Sequence, residues 1–171
     1  TCAILDNQDI TCWGANSHGQ LGTGNTSLIG DSPDEIGDGL PIIAASHSSA
    51  TSPPASLALG WDHTCVLFEN GTVTCWGSNA HGQLGIESTT TIGDQPGDMG
   101  DSLLQVALPS GRTATQVTAG DGFTCALLDN SEVACWGKND KGQMGIGTTS
   151  NQGDSAGAVS YTHLTLPTKN E

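Results

Sequence analysis

The chain has 171 residues, with 18 Asp and Glu against 4 Lys and Arg, a formal net charge of −14 and 24 glycines. That balance excludes a nucleic-acid-binding module, because neutralising phosphates needs clustered Lys and Arg. It excludes a polybasic membrane-surface module for the same reason, and no apolar run reaches the roughly 18 residues that a bilayer span requires.

The first feature along the chain is a unit that repeats. Cys12-Trp13-Gly14-Ala15-Asn16-Ser17-His18-Gly19-Gln20-Leu21-Gly22 returns as Cys75-Trp76-Gly77-Ser78-Asn79-Ala80-His81-Gly82-Gln83-Leu84-Gly85. It returns again as Cys135-Trp136-Gly137-Lys138-Asn139-Asp140-Lys141-Gly142-Gln143-Met144-Gly145. A second cysteine precedes each motif (Cys2, Cys65, Cys125), and a Gly-Asp pair follows it (Gly30-Asp31, Gly93-Asp94, Gly153-Asp154). A fixed internal period of this kind marks a repeat architecture, in which each unit buries its core against its neighbours.

Within the unit the signals are those of β-structure. Thr64-Cys65-Val66-Leu67-Phe68 and Thr72-Val73-Thr74-Cys75-Trp76 are β-branched and aromatic, and they flank Glu69-Asn70-Gly71, a hairpin signal. With Gly71 in the left-handed position, Phe68 faces Thr72, Leu67 faces Val73 and Cys65 faces Cys75. Alternation then puts Cys65, Leu67, Val73 and Cys75 on one face. The equivalent loops, Asp6-Asn7-Gln8 and Asp129-Asn130-Ser131, lack the glycine, so their register is less firmly specified. A preceding strand is expected at Leu57-Ala58-Leu59 and at Val117-Thr118-Ala119, and a fourth near Leu103 to Leu108. No capped amphipathic helix is evident.

The ten-residue spacing places each cysteine pair directly across a hairpin, within bridging distance: Cys2 with Cys12, Cys65 with Cys75, and Cys125 with Cys135. Three identical pairs with no odd cysteine favour disulfides and an oxidising compartment. Buried free thiols are the alternative. Zinc lacks the paired knuckle spacing.

The pattern Gly-x-x-(His/Phe)-Thr-Cys-(Ala/Val)-Leu, a turn, then Val-x-Cys-Trp-Gly-x-Asn-x-x-Gly-Gln-(Leu/Met)-Gly resembles the regulator of chromosome condensation repeat, over roughly residues 1–157. The resemblance implies an all-β fold: a β-propeller fragment of about three four-stranded antiparallel blades, the first and last partial. The cysteine hairpins and Gly-Asp loops are similar to the secreted, bacterial or algal branch of the family. Closed rings of this family usually carry about seven blades, so a longer natural protein is expected, with neighbouring blades as partners of these three. Thr1 in place of a start methionine fits that expectation.

The repeated residues read first as structure. Trp13, Trp76 and Trp136 are expected to pack between blades, Leu21, Leu84 and Met144 to share one core position, and Gln20, Gln83 and Gln143 to bond turn backbone. His18 and His81 match Lys141, a swap that a metal ring would not tolerate, so they read as exposed turn residues. His63 becomes Phe123 in the third unit and reads as packing; His47 lies in a Ser-rich insertion with no evident partner. No nucleophile elbow, zincin, phosphate-loop or dinucleotide motif occurs, so no catalytic residue and no enzyme is expected.

The acidic loops are the sharpest functional feature: Asp31, Asp34, Glu35 and Asp38 in the first, Asp94, Asp98 and Asp101 in the second. Carboxylates on a Gly/Pro-shaped loop could supply oxygen ligands to Ca²⁺, although the spacing is not that of an EF-hand. They could instead cap backbone amides in Asx turns, or form an acidic partner-binding rim. Asn25-Thr26-Ser27 and Asn70-Gly71-Thr72 match the N-glycosylation pattern.

The repeat fails after Gly157, and residues 158–171 are set apart. Thr162-His163-Leu164-Thr165-Leu166-Pro167-Thr168 resembles a peptide translated from sequencing-adapter read-through, a divergent C-terminus being the alternative. The resulting expectation is a non-enzymatic propeller scaffold for protein or ligand binding, with no nucleic acid and no membrane insertion, placed extracellularly, in a periplasm or at a cell surface. The rival readings are a guanine-nucleotide exchange or chromatin-type propeller and a secreted enzyme-inhibitor propeller. The first is disfavoured by the inferred disulfides, the second by the few aromatic residues.

Overall fold

The structure is a computed structural model that describes residues 1–46 and 52–155, and the backbone of 160–162. His47 and most of the set-apart tail lie outside the described residues. Among the described residues nine strands run in chain order: β1 Cys2–Ile4, β2 Ile10–Cys12, β3 Pro54–Leu59, β4 His63–Phe68, β5 Val73–Gly77, β6 Ala114–Ala119, β7 Phe123–Leu128, β8 Val133–Gly137 and β9 Ser160–Thr162. Among the described residues there is no α-helix, only single 3-10 turns at Pro33–Glu35, Gly37–Gly39 and Gly100–Ser102.

The strands form three antiparallel sheets, ordered β1-β2, β3-β4-β5 and β6-β7-β8-β9. Each hairpin has the register that the cysteine spacing predicts: Cys2 opposite Cys12, Cys65 opposite Cys75, and Cys125 opposite Cys135. All three pairs are disulfides, with Cα atoms 4.1 Å apart.

The hairpin turns explain why the register survives without glycine. Gly71 takes φ +79, and Gln8 and Ser131 take the same left-handed conformation at φ +71 and +67. An Asn stands at the same place in every loop. Asn7, Asn70 and Asn130 each accept, through Oδ1, the backbone N–H two residues on, at 3.1 Å. This Asx turn pins the chain and offsets the cost of the left-handed side chains.

The inner strands β3 and β6 are longer than the three-residue segments expected from sequence. Among the described residues a fourth strand forms only in the third sheet, where β9 pairs with β8. In the other two it shrinks to single bridges, Thr11 with Ile42 and Thr74 with Gln105. Sheet pairing in the third unit therefore continues past the point at which the sequence repeat fails.

The two faces of the middle sheet feed two separate cores. Cys65, Leu67, Val73 and Cys75 share one face, as the alternation predicts. They pack with Leu84, Val106, Ala126, Leu128, Ala134 and Trp136 toward the third sheet. Val66, Phe68 and Trp76 point the other way, onto Ile10, Cys12, Leu21, Ile43 and Leu103. With a sheet on either side, every residue of β4 and β5 is buried. Among the described residues β7 has a neighbouring sheet on one side only, and its burial alternates along the strand. This is the nearest-neighbour packing of a repeat array.

Candidate partner-binding surface

Each inter-sheet contact is closed by the turn that follows the Cys-Trp-Gly motif. Asn16, Asn79 and Asn139 are buried at its root. Their Oδ1 atoms accept from the backbone N–H of Leu21, Leu84 and Met144 at 2.9–3.0 Å. Their Nδ2 atoms donate to carbonyls further on, such as those of Asn25, Ser88 and Thr148. Gln20, Gln83 and Gln143 accept the N–H of His18, His81 and Lys141 through Oε1, all at 2.9 Å.

The tightened turn aims one main-chain carbonyl at the next sheet. The Gln20 oxygen accepts Trp76 Nε1 at 3.1 Å and Thr64 Oγ1 at 2.8 Å. The Gln83 oxygen accepts Trp136 Nε1 and Thr124 Oγ1, both at 2.9 Å. Trp76 and Trp136 are thus inter-sheet pillars with a hydrogen-bonded tip. The approach is close: a Cβ on Gly19 would lie 2.5 Å from Asp94 N, and one on Gly82 the same distance from Asp154 N. The Gly-Asp pairs are therefore docking points between sheets as well as loop corners.

Glu35 and Asp98 of the acidic loops hold backbone amides, while Asp31 Oδ1 and Asp94 Oδ2 accept the neighbouring Ser32 hydroxyl and Gln95 side-chain amide at 3.4 Å. Glu35 Oε2 accepts the Gly30 N–H at 2.8 Å, which holds its carboxyl below the usual range. Asp98 Oδ2 accepts the Gly93 and Gln95 N–H groups at 2.9 and 3.0 Å. These two acids stand five residues after their glycines and do one job. Asp31, Asp34 and Asp38 are exposed in the first loop, as are Asp94 in part and Asp101 in the second. The two loops occupy equivalent places on successive sheets. Among the described residues no group of three or more His, Cys, Asp or Glu side chains is gathered to hold a metal.

The histidines separate by environment. His18 is exposed, with Nδ1 3.7 Å from Asp62 Oδ1. Its counterpart Lys141 is also exposed, whereas His81 is half-buried beside Asn151. His63 is buried between the second and third sheets, its Nε2 2.8 Å from Thr124 Oγ1.

Sequence reasoning missed Trp61. It sits in the β3–β4 turn, is 79% exposed and donates its backbone N–H across to the Gly120 carbonyl. The signal was available, since it is the one tryptophan outside the Cys-Trp-Gly motifs. Beside it, Asp62 receives Gln20 Nε2 at 3.3 Å. A small cleft of about 130 Å³ between the first two sheets is lined by Thr1, Gln20, Leu59, Trp61 and His63, among others. At the equivalent turn in the third unit stand Asp121 and its ion pair with Lys138, at 3.2 Å. The scaffold is repeated and this turn is not.

Consecutive antiparallel sheets packed face to face through repeated latches define a segment of a β-propeller. Family models described as "Regulator of chromosome condensation (RCC1) repeat" match residues 11–67 and 70–127, and residues 55–83 and 114–143. The chain belongs to the regulator of chromosome condensation repeat family. It is 29% identical over 147 residues to the ultraviolet-B receptor UVR8 of Arabidopsis thaliana, covering 86% of this chain and 29% of that protein. It is 27% identical to the mouse secretion-regulating guanine nucleotide exchange factor, covering 88% of this chain and 32% of that protein. It spans less than a third of the length of either relative. Among solved structures, human WBSCR16 superposes with a TM-score of 0.67 at 19% identity, over 96% of this chain and 37% of that one. Yeast RCC1 (Prp20), solved bound to Kap60, gives 0.51 at 25% identity, over 79% of this chain and 29% of that one.

Proposed function

We propose that the chain is part of a secreted, non-enzymatic β-propeller that binds a protein partner through the surface carrying Trp61. The observation that carries this reading is Trp61 itself, a large aromatic left in solvent on a turn whose sequence differs between units. Tryptophan is enriched among the side chains that dominate protein interfaces. The exposed acids Asp31, Asp34, Asp38 and Asp101 and the partly exposed Asp94 add to the negative charge of the chain, which favours a basic partner and speeds its encounter. Three disulfides support an oxidising compartment: an extracellular, periplasmic or cell-surface location. The solved complex of a related propeller with Kap60 supports a scaffold role.

The test is a photoreactive residue placed at position 61 of the full-length protein, with a second variant carrying it at exposed Ile36. The expected result is a protein adduct from position 61 that is lost at high salt. Equal labelling from both positions overturns the assignment. A second reading, guanine-nucleotide exchange, draws on the named activity of the mouse relative. Free thiols at the six cysteines in the native protein would favour it.

A further inference from the structure

The three hairpin turns carry the same asparagine with different partners. In the first, Asn7 Nδ2 donates to Asp9 Oδ2 at 2.8 Å, and in the third, Asn130 Nδ2 donates to Glu132 Oε2 at 2.7 Å. Each side-chain amide is engaged by the acid two residues ahead. In the middle turn Thr72 stands in place of that acid. Its hydroxyl donates to Asn70 Oδ1 at 2.8 Å, beside its own backbone N–H at 3.1 Å. Both bonds fall on the oxygen. Asn70 is exposed, and its Nδ2 has no acceptor among the described residues.

The change that frees this amide also completes Asn70-Gly71-Thr72, an acceptor triplet for N-linked oligosaccharide. The turn is held firmly. Gly71 O accepts the Ala114 N–H at 2.8 Å, and a Cβ on Gly71 would lie 2.5 Å from Thr113 Cβ. The turn is therefore seated against the third sheet while Asn70 stays in solvent. The Cys65–Cys75 disulfide closes the hairpin behind it. The other triplet, Asn25-Thr26-Ser27, is arranged differently. Asn25 Oδ1 accepts the Ser27 N–H at 2.8 Å, and Nδ2 donates to the Thr23 carbonyl at 3.4 Å. Asn70 follows β4 and Trp61 precedes it. The six residues of β4 span about 20 Å, so the two side chains stand at opposite ends of the middle sheet.

We propose that Asn70 is an N-glycosylation site, its side-chain amide accepting an oligosaccharide from a polyprenyl-pyrophosphate-linked donor. The proposal rests on the secreted reading, since the acceptor must reach the compartment that holds the donor. Transfer forms a bond from Nδ2 to the anomeric carbon of the donor's first sugar and breaks that carbon's bond to a pyrophosphate oxygen. The polyprenyl pyrophosphate leaves with the electron pair, and one Nδ2 proton passes to a base of the transferase. Nothing is oxidised or reduced. A bulky, solubilising glycan at this turn covers one end of the middle sheet and leaves the Trp61 end open to a protein partner.

The test is site mapping on the full-length protein from its natural source. An N-glycan-releasing amidase, used in heavy-oxygen water, converts each glycosylated Asn into a labelled Asp. Earlier spontaneous deamidation at Asn70-Gly71 leaves no such label. Label at Asn70 and a matching loss of mass are expected. Disulfide-intact protein with no label at Asn70, or with label at Asn25 alone, overturns the proposal and leaves the secreted reading standing. Free thiols at all six cysteines overturn both. In the same cells, Thr72→Asp rebuilds the acid pairing of the first turn, and is expected to fold with its disulfides intact and to lose the label. Thr72→Ser keeps a hydroxyl and is expected to retain it. Label that persists in Thr72→Asp, or disappears from folded Thr72→Ser, overturns the assignment to this triplet.

Discussion

His63 shows how one position can serve two chemistries. Its Nε2 lies 2.8 Å from Thr124 Oγ1, whose own proton is directed at the Gln83 carbonyl, 2.9 Å away. The ring therefore donates from Nε2, and Nδ1 is left buried without a partner. Burial of the ring pushes its pKa down from 6.5 to about 4. The unfolded chain binds this proton near pH 6.5 and the folded chain does not, so stability is full above pH 6.5 and falls as pH drops toward 4. The loss amounts to about 3 kcal/mol across that window. His63→Phe, the residue that the third unit uses at Phe123, should flatten this part of the curve. Urea unfolding at several pH values measures it, and an unchanged slope in the variant would assign the acid sensitivity elsewhere. The sequence, from the Phe123 match alone, marked His63 as packing. The hydrogen bond to Thr124 was not legible, because its partner lies one whole repeat away.

At the scale of the hairpin, the disulfides link local closure to inter-sheet packing. Cys65 and Cys75 are fully buried in the core shared with the third sheet. Replacing both with Ala should cost about 2.5–3 kcal/mol from the lost closure of a short loop. Lost packing adds to that, and a denaturation midpoint compared with the parent reads it out. A change too small to resolve would mean that the reduced chain is already held by its hairpin. The cysteine register was legible where Gly71 marked the turn, and the unchanged ten-residue spacing carried it to the two hairpins whose loops lack that glycine. The fourth strands were less so: a strand reduced to one bridge, as at Gln105, leaves almost no alternation to detect. The Asx turns had a visible signal, the Asn shared by all three loops, and it outweighed the missing glycines. The Gln carbonyl latches had none, since a main-chain acceptor leaves no mark on residue choice.

Across the whole molecule, the charge of −14 has a defined address. Seven acids stand in the two equivalent loops at Asp31, Asp34, Glu35, Asp38, Asp94, Asp98 and Asp101. Glu35 and Asp98 hold loop amides, and the remainder do not converge on one point. A thermal melt in Ca²⁺ or in EDTA should give the same midpoint. A rise specific to Ca²⁺, absent with Mg²⁺ at equal ionic strength, would convert these loops into cation sites. The repeat organisation was legible at this scale because the motif recurs almost letter for letter. The Trp61 surface was not, because nothing repeats there.

The latch between blades has a consequence for how such a chain can change in length. Its acceptor is a peptide carbonyl, common to every residue type, and its donors are the same Trp and Thr in each copy. The latch itself can therefore join one unit to another without new donors or acceptors having to arise. Duplicating or deleting a whole unit leaves the carbonyl latch at each junction unchanged. Blade number is thus free to drift by unequal recombination, while the turns on the surface, Trp61 among them, diverge independently.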